Sequence, residues 1–111
     1  NPKEDAVAPV QCARCGVVIS SEVGGERLAS ISGSIFGDEC TETWYYCAQC
    51  DVYTVEIYWD TFLVEDSAST RGPIPRADGD EQIALIRECT TPWLKTCRCP
   101  AHRAYFGSVL A

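Results

Sequence analysis

Two Cys-x-x-Cys pairs, Cys12-Ala-Arg-Cys15 and Cys47-Ala-Gln-Cys50, constrain this chain more than any other feature. A tetrahedral metal ion takes four thiolates at about 2.3 Å, and two tight turns from opposed hairpins supply two each. In such turns the chain reverses around the ion and backbone amides point at the sulfurs. Gly16 follows the first pair, where a positive φ is often needed. Asp51 holds the corresponding place after the second, and Asp tolerates left-handed backbone better than most residues. A thioredoxin-like redox pair would instead open a helix after a strand, so that the helix N-terminus activates the thiol. Both pairs here run into β-forming sequence. Eight cysteines also permit four disulfides in a secreted domain, but a two-residue gap suits a shared ion better than a bonded pair. Cys12, Cys15, Cys47 and Cys50 are therefore read as one metal site. Zinc is the preferred ion, and iron, single or as a [4Fe–4S] cluster, is the alternative.

The rest of the chain reads as a small α+β fold, mainly antiparallel β. Residues 1–10 are a flexible lead-in, and 11–64 a β domain. Within it, Val17–Ile19, Arg27–Ile31 and Thr43–Cys50 are strand candidates, with a turn at Gly24-Gly25 and a loop over 32–42. The stretch "DVYTVEIYWDTFLV" (51–64) alternates apolar Tyr53, Val55, Ile57, Trp59 and Leu63 with Thr54, Glu56 and Asp60. That is the two-residue period of a strand with one buried face. Residues 65–77 read as a polar, Pro- and Gly-containing loop or linker. Residues 78–111 form a helical extension expected to pack on the same domain. Asp78 and Glu81 resemble a capping box for a helix over Gly79–Cys89, with Leu85, Ile86 and Cys89 on its apolar stripe. Pro100 is placed to begin a second, short helix.

"CARCG" followed by a β-branched run, with "YYCAQCDVYTVEIYW" after it, resembles a zinc ribbon. The same two pairs are similar to a rubredoxin site, in which the ion is iron and the role is electron transfer. The resemblance covers residues 11–64 and implies a metal-stabilised ribbon-like sheet, with Cys12, Cys15, Cys47 and Cys50 as ligands. The chain departs from the pattern in lacking Pro and Gly after the second pair and in carrying a Gly-rich insertion. Both departures weigh against iron more than against zinc.

The remaining cysteines and the single histidine make a second candidate site. Cys97-x-Cys99 and His102 lie close in sequence, Cys89 comes from the end of the helix, and Cys40 from the loop before the third strand. Five donors compete for four places. The favoured set is Cys40, Cys89, Cys97 and Cys99, or the same with His102 replacing one thiolate. A buried, unligated Cys89 is the plain alternative, since free cysteine behaves as a small hydrophobe.

The formal charge is −7, with no basic stripe, and bound metal held by thiolates makes the balance more negative still. Nucleic acid and anionic membrane surfaces are poor partners on that ground. No run approaches the length of a membrane span. The chain contains no Met, so its native start is expected to have been trimmed or processed. A cytoplasmic location is expected, with a secreted or periplasmic one as the alternative. Trp44, Tyr45, Tyr46, Tyr53, Tyr58, Trp59 and Trp93 are expected mostly in the core, and exposed members would mark a protein interface. One histidine permits no Ser/His/Asp arrangement, and "SGSIFG" lacks the Lys of a phosphate-binding loop. All-thiolate sites are closed and structural. The expected function is a non-catalytic, zinc-stabilised binding module, an accessory subunit or adaptor of a larger enzyme complex. An electron-transfer protein and a disulfide-stapled domain are the alternatives.

Overall fold

The computed structural model describes residues 10–19, 26–61 and 66–107. Four strands, β1 (Glu26–Ile35), β2 (Asp38–Cys47), β3 (Val52–Asp60) and β4 (Ser67–Pro75), form one antiparallel sheet in chain order. Two helices follow, α1 (Arg76–Arg87) and α2 (Pro100–Phe106). The fold is α+β, as the sequence predicts. The Gly24-Gly25 turn, Leu63 and Val64 of the expected strand and nearly all of the lead-in lie outside the described residues.

Alternation divides the sheet into two faces. On one, Ile31, Trp44, Tyr53 and Val55 pack with Ile83 and Ile86 of α1. On the other, Tyr45, Cys47 and Val52 pack with Val10, Cys12 and Ile19 from the segment before β1. The β3 pattern therefore has one addition to the expected single buried face: Val52 and Thr54 are buried too, because residues 10–19 cover that side. That segment is folded back on itself by the Cys12 N–H donating to the Val17 carbonyl and the Ile19 N–H donating to the Val10 carbonyl. It makes an isolated bridge, Gln11 to Val18, rather than the strand expected at Val17–Ile19.

Two expected loops are strands. Over 32–42 the chain continues β1 to Ile35, turns at Phe36-Gly37 and starts β2 at Asp38. Ser32 and Thr41, polar residues of the expected loop, are a cross-strand pair at 2.7 Å, next to Ser30 and Thr43 at 3.1 Å in the expected strands. Within the expected linker over 65–77, Ser67–Pro75 is β4, an exposed edge strand. It has no buried face to produce an alternating pattern, and the ladder with β3 holds it. A register shift opposite Tyr53–Val55 accommodates Gly72 and the cis bond to Pro73.

The helix start also differs from the expectation. β4 runs directly into α1, with Pro75 at the N-cap and no side-chain cap, and Asp78 lies inside the first turn. Proline's fixed φ suits a helix entrance, so the helix begins before the acidic residues that resemble a capping box. The buried stripe of α1 is Gly79, Ile83 and Ile86, which share one face at helical spacing. At Gly79 the helix backbone sits directly on the Tyr53 ring. Tyr53 is flanked by Trp44 at 5.7 Å and Tyr46 at 5.3 Å between ring centroids. Its hydroxyl donates to Asp80, which Arg76 also meets.

Candidate metal centre

The two Cys-x-x-Cys turns have matching backbones. The Gly16 N–H donates to the Cys12 carbonyl at 2.9 Å, and the Asp51 N–H donates to the Cys47 carbonyl at 2.8 Å. Gly16 has φ 81° and Asp51 φ 57°, so Asp51 takes the left-handed place that glycine fills in the first turn. Its carboxylate accepts from the Tyr46 hydroxyl and meets Arg76, tying the second turn to the start of α1. The first turn is tied to the sheet where the Ala13 N–H donates to the buried Thr54 hydroxyl at 3.0 Å.

These turns bring the sulfurs of Cys12, Cys15, Cys47 and Cys50 within 4.8 Å of one another. Four thiolates about 2.3 Å from one ion stand about 3.8 Å apart along each tetrahedral edge. Cys15 Sγ and Cys47 Sγ are 3.8 Å apart. Cys12 and Cys47 are buried, Cys50 is half-buried and Cys15 is exposed. Burial opposes ionisation at Cys12, but the amides of Cys15 and Arg14 and the neighbouring thiols outweigh it and bring it down to about 7. At Cys50 the hydrogen bond with Cys15 and burial act the other way, pushing it up to about 12. Thiols must lose their protons to bind a cation, so metal binding at such a group would release protons.

The second group is Cys89, Cys97, Cys99 and His102, again within 4.8 Å. Cys89 comes just after α1, and Cys97 and Cys99 from the following turns. Cys99 is the N-cap of α2, its sulfur accepting the His102 N–H at 3.4 Å, with Pro100 in the first turn. His102 is fully buried, and its Nδ1 lies 3.2 Å from Cys89 Sγ and 3.6 Å from Cys99 Sγ. Cys89 and Cys97 sulfurs are 3.7 Å apart. The opposite ring nitrogen, Nε2, is 2.9 Å from the Ser32 carbonyl. A carbonyl only accepts, so Nε2 carries the proton and Nδ1 turns a free lone pair toward the three sulfurs. This is the outer hydrogen bond that orients a metal-binding histidine. The hydroxyl of Thr91 and the amide of Cys99 bring the Cys97 thiol down to about 7.

Cys40 stands outside both groups. Its place on β2, between Gly33 and Trp59, sets it in the sheet interior. Burial, with Glu42 adding to it, pushes its thiol up to about 11. Of the two sets offered by the sequence, the structure gathers the one in which His102 replaces a thiolate, and the thiolate replaced is Cys40. Cys40 was read as a ligand because 32–42 read as a loop able to reach the C-terminal cysteines. As part of a β-ladder it does not reach them. Ser32 was not singled out at all; a serine acting through its main-chain carbonyl leaves no signal in sequence.

All eight cysteines are free thiols, and seven of them are gathered in two groups rather than set in bonded pairs. Compared with protein-family models, curated proteins and solved structures, the chain matches none. The geometry therefore carries the assignment: two cysteine-rich groups able to hold metal ions, on a four-stranded sheet.

Proposed function

We propose that this chain is a non-catalytic binding module held together by two zinc ions, serving as an accessory subunit or adaptor of a larger enzyme complex. The carrying observation is that each group supplies four protein donors at the spacing of one tetrahedral ion. A site so filled has no open position for water or substrate, unlike a catalytic zinc centre. Zinc is favoured by the mixed Cys3His set of the second group. The short separation of the sulfurs suits a single ion; a multi-iron cluster would hold its ligands further apart. Such a module has work to do only through its surface, which is why a protein partner completes the proposal.

Metal analysis of protein purified without added metal tests the reading, combined with intact mass before and after reduction. Two zinc ions per chain, no visible absorption and no mass gain on reduction are expected. Iron with thiolate-to-metal absorption at the first centre would replace the module by an electron carrier. A mass gain from reduced disulfides would overturn both.

A further inference from the structure

The turn between β1 and β2 contains a residue that folding does not explain. Phe36 has φ 51° and Gly37 φ 89°, so both central residues of this two-residue turn are left-handed. Such turns favour Asn-Gly and disfavour a bulky side chain at the first position. Phe36 occupies it while remaining 83% exposed. It is conformationally unfavourable, and it buries almost nothing in return.

Two more apolar side chains stand at the same end. The Ser32 N–H donates to the Pro92 carbonyl at 2.8 Å, and Lys95 reaches Glu39 at 4.0 Å. Residues 92–95 therefore run beside the β1–β2 hairpin toward its turn. Between these anchors, Trp93 is 69% and Leu94 44% exposed. The surrounding charge is mainly acidic. Asp38 and Glu39 open β2, Asp60 lies opposite Glu39 on β3, and Asp66 precedes β4. Among the described residues, the cations nearby are Lys95, set against Glu39, and Arg98, bound to the carbonyls of Lys95 and Cys97.

We propose that this end of the sheet is a docking surface for a basic amphipathic helix of a partner protein, its apolar face seated on Phe36 as the anchor with Trp93 and Leu94 beside it. The proposal rests on the reading of the chain as a binding module and supplies the chemistry of its partner. Aromatic side chains dominate binding energy where they pack against a partner, and complementary charge selects the partner and speeds encounter. A second copy of this chain would set acidic rim against acidic rim. Residues that break a local structural rule without a packing gain are expected at functional positions.

The test uses the full chain with its zinc content verified, and two helical peptides of equal length and leucine content, one Leu/Lys and one Leu/Glu. At physiological salt the Leu/Lys peptide should bind at least tenfold more tightly than the Leu/Glu peptide. Phe36→Asn should weaken that binding at least tenfold while raising the melting temperature, because it installs the favoured turn sequence. Trp93→Ser should also weaken it, whereas Val17→Ser, at an exposed apolar residue of the first Cys turn, should not. Equal binding of the two peptides, no binding, or wild-type affinity in Phe36→Asn would overturn the surface. Dimerisation abolished by Phe36→Asn would overturn it as well, in favour of a second copy. None of these results changes the metal content on which the module itself stands, so the two failures are distinguishable.

Discussion

A Cβ placed on Gly79 would lie 2.0 Å from a ring carbon of Tyr53. Alanine at this helical position gains about 1 kcal/mol in intrinsic propensity, but forcing a methyl group into a packed contact costs about 1–3 kcal/mol. The ring has little room to retreat, with Trp44 and Tyr46 beside it and Asp80 holding its hydroxyl. Gly79→Ala should therefore destabilise the protein in denaturant unfolding, and a stabilised variant would show that the ring moves freely. The same tyrosine predicts a pH dependence. Burial, and then the bond to Asp80, push its phenol up from 10.0 to about 12. A folded pKa above the unfolded one means that the folded state retains the proton more tightly. The resulting stability is fully present below about pH 10 and is lost as pH rises through about 12. Tyr53→Phe should flatten the fall in stability across that window, measured by urea unfolding at a series of alkaline pH values.

At the scale of elements, each cysteine-rich group joins a different layer to the sheet. The first joins the 10–19 segment to the β2–β3 turn, and its Cys12 and Cys47 are part of the apolar cluster on that face. The second joins the end of α1 to α2, and through Ser32 it engages the outward edge of β1 with both a carbonyl acceptor and an imidazole donor. Unpaired sheet edges invite association, and this one is covered at Ser32. Tyr105 of α2 adds a link to β2 by accepting from the Trp44 indole at 2.9 Å and donating to Glu42. Cys97→Ser should leave the sheet folded with one ion while hydrogen exchange quickens at Ser32 and through α2. Cys47→Ser should prevent stable folding, because it removes both a ligand and a buried group. A Cys47→Ser protein that melts like wild type would overturn the structural role of the first group. The division between what was legible and what was not follows the same elements. The paired Cys-x-x-Cys turns, the Asp51 geometry and the β3 strand were readable because local spacing and alternation determine them. The ends of β1 and β2 that meet at their turn, within 32–42, and β4 were not. Ser30, Ser32, Thr41 and Thr43 satisfy one another only once the strands are paired, and β4 buries too little to carry a pattern. Reading residues 32–42 as a loop is also what kept Cys40 among the five competing donors and hid Ser32.

For the molecule as a whole, the described residues form two apolar clusters of modest size on opposite faces of one sheet. A chain of 111 residues buries a limited core, and metal binding free energy becomes folding free energy when the unfolded chain holds no preformed site. If both faces unfold together, each unfolding event releases both ions. Stability should then rise by about 2.7 kcal/mol for every tenfold increase in free zinc above saturation, about 1.4 kcal/mol from each ion. Denaturant unfolding in zinc buffers of graded free concentration measures this slope directly. Cys97→Ser supplies the internal comparison, since loss of the second centre should halve the slope to about 1.4 kcal/mol per tenfold. A one-ion slope in the wild-type chain would mean that the helical layer detaches before the sheet unfolds, with the second zinc leaving in a separate transition. A zero slope would mean that neither group holds zinc in the folded protein. The two-ion slope is expected because Ile83 and Ile86 of α1 share one buried cluster with Trp44, Tyr53 and Val55. Releasing the second centre loosens the cover of that cluster, and Trp44 and Tyr53 lie on the same two strands whose turn carries Cys47 and Cys50.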